Sequence, residues 1–285
     1  MTCVYGQVYR CLAPRMPERT TVVARKTPLK PQVTYVAPVV FLACLIGLWW
    51  VITAFSGIEE WRLPGPGQVA AQAIDMLSHT WMWQRIGITA LEALLGSAIG
   101  ASLALPLSWL IYRNAVLSAA VEPFLGATQA LPAIAIAPLL VLWIGYGTWA
   151  IAMLCALMVF FPILVSTVVG LRHLDPEVRE AAELDGASGW TMIRRIEMPL
   201  AAPSILAGLR NGFTLSVTGA VVGEMVMGGS GLGQVLVQAR NNVDTSSLFV
   251  TIFILATMAT LAYVAVYRIE RRQRRDISPQ QRKSR

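Results

Sequence analysis

The chain predicts an all-α, polytopic membrane protein of about six transmembrane helices, with a two-helix cytoplasmic loop near its centre. Three observations carry that prediction. Hydrophobic residues make up 55% of the 285 residues and charged residues only 14%, whereas soluble proteins carry roughly 25% charged. Apolar stretches long enough to cross a bilayer, about 20 residues each, recur along the chain. The most polar interior run, 172–199, stands alone between two of them.

Residues 1–34 form a basic, Pro-containing tail with Arg10, Arg15, Arg19, Arg25, Lys26 and Lys30 against Glu18. It lacks the apolar core of a signal peptide, and Met16 could also initiate translation. The first span runs over 35–56, charge-free, with Trp49 and Trp50 toward its far end. Residues 57–85 are polar, contain Leu63-Pro64-Gly65-Pro66-Gly67, and then place Val69, Ala73, Ile74 and Leu77 at helical spacing. That pattern predicts a turn and an interfacial helix.

The second span covers Ile86–Tyr112, with Gly96 and Gly100 on one face to admit a close neighbour. Glu92 near its start either lines a cavity or reaches interfacial water. Asn114–Ala127 is a short amphipathic connection. Thr128–Tyr146 carries Pro132 and Pro138 inside an apolar run, kinks that suit a helix lining a pathway and that packing alone also explains. Trp149–Leu171 is the fourth span. Pro203–Met227 is the fifth, with Arg210 near its start, Glu224 near its end, and Thr214, Ser216 and Thr218 as a mildly polar stripe. The glycine-rich run 228–233 reads as a flexible outer turn. Leu248–Tyr267 is the sixth span, and 269–285 is a second basic tail.

With six spans both tails share one side with the 172–199 loop. Of the 23 lysines and arginines, Arg62, Arg85 and Arg240 fall on the other side and Arg210 lies within a span. The excess of positive charge places both termini and the loop in the cytoplasm. The chain is thus expected to be a multi-pass protein of the cytoplasmic membrane, with basic tails that contact lipid rather than nucleic acid.

Within the loop, Asp175 precedes Pro176, a cap followed by a favoured first helical residue. Glu177, Glu180 and Glu183 complement the positive helix end. Gly186 supplies the left-handed stop. Ser188 starts a second short helix through Trp190, Ile193 and Ile196, with Pro199 following.

The order Glu180-Ala181-Ala182, three residues, Gly186, nine residues, Ile196, one residue, then Met198-Pro199 resembles the EAA loop of ABC-importer membrane subunits. Met198 stands where the family usually has Leu, a change of similar volume. Over about residues 60–270 the chain is similar to the nitrate/sulfonate/taurine branch, the binding-protein-dependent inner membrane components, which also includes vitamin and pyrimidine-precursor importers. The resemblance implies a permease core over 86–268, with 172–199 as the coupling loop. It implies Glu180, Ala181, Ala182, Glu183, Asp185, Gly186, Ile196 and Pro199 at the junction with an ATPase. It further implies a second permease chain, commonly identical, two ATP-binding subunits and an extracytoplasmic solute-binding protein. ATP-driven closure of the ATPases would move the gripped helix and tilt the adjoining spans. The solute would be a sulfonate- or nitrate-like anion, or a vitamin-type compound such as riboflavin or a thiamine pyrimidine precursor. Scarce intramembrane charge fits the second class at least as well as the first.

The residues leave little room for catalysis. The lysines are Lys26, Lys30 and Lys283, none in a phosphate-binding GxxxxGK[ST] loop, so ATP and any cofactor belong to a partner. His79 and His173 stand apart, and Cys3, Cys11, Cys44 and Cys155 form no CxxC pair. No catalytic, metal or cofactor residue is therefore assigned. The pathway candidates are Glu92, Pro132, Pro138, Arg210, Thr214 and Glu224. An ion-coupled secondary transporter is the alternative, since such proteins place ionisable groups within their spans.

Overall fold

The computed structural model describes residues 31–55, 57, 59–127 and 133–277. The chain separates into two units, residues 1–48 and 49–285. The described part of the first is the start of α1 (Pro31–Phe55), an apolar helix. The tail over 1–30, the end of the second tail beyond 277, and Pro132 lie outside the described residues.

All regular elements among the described residues are helices: α2 (Pro66–Ser78), α3 (Thr80–Arg113), α4 (Ala115–Ala127), α5 (Ala133–Ile144), α6 (Thr148–Arg172), α7 (Pro176–Leu184), α8 (Gly189–Met192), α9 (Met198–Met227), α10 (Leu232–Asn241) and α11 (Thr245–Ile277). Four helical stretches among them are long and apolar enough to cross a membrane: α3, α6, the run from α8 through α9, and α11. Val39–Phe55 and Ile134–Ile144 are shorter apolar helices.

Helix α6 lies at the centre. Its Ile151, Leu154, Cys155, Val159 and Ile163 are fully buried, gripped between α3 and α9. The grip works because both neighbours present glycine. A Cβ at Gly96 would stand 2.6 Å from the Ala152 carbonyl oxygen, and one at Gly100 2.7 Å from that of Ala156. On α9, Gly212 and Gly219 do the same against Val159 and Cys155. Backbones that approach this closely pack by van der Waals contact, the main attraction available between helices in lipid. A second core, from Val69, Met76, Met82, Leu232, Val235 and Val250, joins α2, α3, α10 and α11.

Three boundaries differ from the sequence reading. Helix α3 starts at Thr80, not Ile86, because no breaker separates it from the His79 corner that ends α2. Helix α11 runs well past Tyr267 into the basic segment. The second loop helix does not end before Pro199. A π-helical turn, Ile193–Glu197, joins α8 to α9, and the Met198 N–H donates to the Ile193 carbonyl. Proline has no N–H to offer the preceding turn. Here Pro199 sits in the first turn of α9, where that donor is not needed, and the helix passes through.

Candidate functional site

The hairpin over 172–199 is built as its residues dictate. Asp175 accepts the Glu177 N–H at 3.0 Å, and Pro176 opens α7. Gly186 adopts φ 84°, and the Ala187 N–H returns to the Ala182 carbonyl at 2.9 Å. These bonds close both ends of a nine-residue helix that would be marginal alone. Ala182 faces inward; Glu180, Ala181, Glu183, Asp185 and Gly186 face out. Ile196 is half-buried and Pro199 exposed.

Sequence reading dwelt on the acids and missed the apolar face. Leu184 is 90% exposed and Trp190 is 72% exposed. Large apolar side chains beside a capped, rigid helix mark a contact surface better than charges do. Glu183 is taken by Arg179, one turn back at 3.1 Å, rather than by Arg194 or Arg195. Glu183, with Tyr112 as second contributor, raises the pKa of the Arg179 guanidinium above its ordinary value. Tyr112, Arg172, Leu174, Pro176, Arg179 and Glu180 border a cleft of about 350 Å³ under α7.

The hairpin is rooted by ion pairs that spacing alone did not reveal. Arg113, at the end of α3, meets the buried Glu197 carboxylate of the π-helical turn at 3.3 Å. Arg210 on α9 pairs with Glu270 on α11 at 3.3 Å and lies 4.9 Å from the centre of the Tyr263 ring. Arg210 is thus held against a neighbouring helix rather than standing alone within its span. Thr214 donates to the Arg210 carbonyl within its own helix at 2.8 Å.

At the far end of α9 the polar groups are buried. Glu224 is fully enclosed. Thr89 Oγ1 donates to its Oε1 at 2.6 Å, and the Gly233 N–H donates to its Oε2. Glu92 is also buried, facing Glu224 and Thr148. Its Oε2 is buried with no hydrogen-bond partner among the described residues. The run 228–233 is not the flexible outer turn expected: Gly229, Gly231 and Gly233 all pack against the Glu224 side chain. Their alternate spacing behind a glutamate was the available signal.

Pro138 lies inside α5. His79 pairs with Asp75 on α2, and the His173 ring meets its own helix at the Val169 carbonyl. No group of three metal-ligating side chains occurs among the described residues.

Long apolar helices joined by an exposed hairpin make this a multi-pass membrane protein. Residues 96–275 match the family model described as "Binding-protein-dependent transport system inner membrane component", and the chain belongs to that family. It is the membrane permease subunit of an ABC importer, a class that works with an ATPase and a binding protein. The riboflavin transport system permease protein RibX of Chloroflexus aurantiacus is 38% identical over 232 residues, covering 81% of this chain and 87% of that one. The formylaminopyrimidine transport permease protein ThiX of Halalkalibacterium halodurans is 33% identical over 233 residues, covering 82% and 92%. An inward-facing structure of the MetNI methionine ABC transporter shares the fold, with TM-score 0.61 at 20% identity, over 67% of this chain and 95% of that one.

Proposed function

We propose that two copies of this chain form the pathway of an importer for an uncharged or weakly charged, vitamin-type solute. An extracytoplasmic binding protein delivers the solute, and two copies of a separate ATPase hold the ATP. The hairpin and both termini face the cytoplasm. Glu180, Ala181, Ala182, Glu183, Asp185 and Gly186 meet the ATPase together with Leu184 and Trp190, and Ile196 and Pro199 carry the motion into α9.

The observation that carries this reading is the exposed apolar pair Leu184 and Trp190 on a hairpin capped at both ends. A surface of that kind calls for a protein partner. The solute class rests on charge. An anion route wants a cation free to receive it. Arg210, the cation inside α9, is already paired with Glu270. RibX and ThiX, named for riboflavin and a pyrimidine, are also more similar to this chain than are the SsuC proteins named for aliphatic sulfonates, at 26% and 29% identity. Among the pathway candidates, Pro138 and Thr214 are assigned to the lining, whereas Glu92 is enclosed within the chain. Arg210 and Glu224 instead hold helices together.

Proteoliposomes containing the chain, its cognate ATPase and binding protein, with ATP at the hairpin face, test the whole. Uptake of radiolabelled riboflavin that needs ATP and resists taurine is expected. Uptake without the ATPase would end the coupling assignment. Competition by taurine alone would end the solute assignment.

A further inference from the structure

Helix α10 follows a connection rich in glycine, where a chain ordinarily swings freely. Gly228 turns the backbone at φ 74°. Instead of a loose joint, the structure holds a knot centred on one side chain. The two Glu224 oxygens accept from Thr89 Oγ1 and from the Gly233 N–H at the start of α10. The Glu224 carbonyl accepts the Gly229 N–H at 3.1 Å and Gln234 Nε2 at 3.0 Å. Thr89 Oγ1 also accepts the Leu232 N–H at 2.8 Å, and Arg85 Nη1 donates to the Ser230 carbonyl at 2.9 Å. A Cβ on Gly231 would collide with both the Glu224 carboxylate and the Thr89 hydroxyl, and one on Gly233 would stand 2.7 Å from Glu224 Cβ. The glycines serve close approach to the carboxylate rather than freedom of the backbone.

The other end of α9 is equally continuous. Residues 189–227 form one helical run from the coupling hairpin to Glu224. A 30-residue α9 alone spans about 45 Å. We propose that Glu224 is a positioning residue that couples α10 to α9, so that a displacement begun at the hairpin is delivered to the surface α10 presents. The proposal rests on the ATPase-coupled reading above. Buried hydrogen bonds are stronger than exposed ones, because little water competes for them. A side chain locked by several of them passes on motion that a glycine linker alone would dissipate.

Spin labels on Gln238→Cys of α10 and Ser78→Cys of α2, both exposed positions, test it. The sample is the permease–ATPase complex in nanodiscs, with the native cysteines replaced, compared with and without Mg-ATP and vanadate. The otherwise unaltered chain is expected to change its label-to-label distance on trapping. Glu224→Gln offers one acceptor where two are needed. It should keep the resting distance, which Leu232 and Val235 secure through the apolar core, but lose the nucleotide-driven change. Gly231→Ala, which keeps the carboxylate in the sequence but pushes it off its hydrogen-bond partners, should do the same. If both variants retain the change, the proposal is overturned while the permease reading stands. If the resting distance is itself displaced, Glu224 is only a brace and the proposal is overturned too. If the unaltered chain shows no change on trapping, ATPase coupling fails and the proposal falls with it.

Discussion

Arg113 and Glu197 meet across 3.3 Å, joining the end of α3 to the π-helical turn at the root of the 172–199 hairpin. The carboxylate is almost fully buried, with its side chain 2% exposed, whereas Arg113 is 41% exposed. Removing the arginine strands a charge that cannot reach water, and removing the carboxylate frees an arginine that can. Arg113→Ala is therefore expected to cost more than Glu197→Gln, about 1–3 kcal/mol against less than about 1 kcal/mol. Thermal melting of the purified chain in detergent, with the double variant completing the cycle, measures the difference. Equal effects would mean the pair contributes nothing beyond solvation.

The hairpin's stop depends on one backbone conformation. Gly186 holds φ 84° with open space around it, so a side chain there strains the backbone without clashing. Gly186→Val should cost about 1–2 kcal/mol locally and lower ATP-dependent uptake at least about tenfold if the hairpin must dock as a rigid body. Glu180→Lys should lower uptake by charge reversal while leaving the fold intact. Membrane abundance and melting temperature close to those of the unaltered chain, with uptake lost, are the expected results. Normal uptake by both variants would remove the hairpin from the coupling path.

Leu184 and Trp190 make a separate claim. Both are exposed apolar residues, so replacing them should not hurt folding. Leu184→Asp and Trp190→Ala are each expected to weaken binding of the ATPase by about 2 kcal/mol or more, roughly thirtyfold, as central apolar anchors do. Titrating labelled ATPase subunit against the permease in nanodiscs reads this directly. Unchanged affinity in both would assign the contact to the charged residues alone.

Much of this was legible in the chain because local rules governed it. The cap at Asp175, the proline at 176 and the stop at Gly186 act within a few residues, and they fold as their types demand. The close approach at Gly96 and Gly100 was readable for the same reason: only small residues permit it. What escaped detection depends on residues distant in sequence. Nothing near Arg113 announces Glu197, and nothing near Glu224 announces Thr89. The glycine run was misread because glycine serves two opposite ends, a loose backbone and a close contact. Only the neighbour decides between them. The unbroken passage through Pro199 was not foreseen because the π-helical turn that carries the chain into α9 leaves no mark in composition.

Orientation gives the sharpest remaining prediction, because the balance of positive charge and the hairpin's proposed partner must agree. A cysteine at Glu183, on the exposed face of α7, and one at Gln238, on the exposed face of α10, lie at opposite ends of the helical run 189–227 and its continuation. A membrane-impermeant maleimide applied to intact cells should label Gln238→Cys and spare Glu183→Cys, and permeabilised cells should show both. Cys3, Cys11 and Cys44 must be replaced first; Cys155 is buried in the α6 core and reports only on unfolded chain. Labelling of Glu183→Cys from outside would put the hairpin on the wrong side for any ATP-hydrolysing partner, since that nucleotide is held in the cytoplasm. The positive-inside assignment would then fail as well, and with it the direction in which this permease moves its solute.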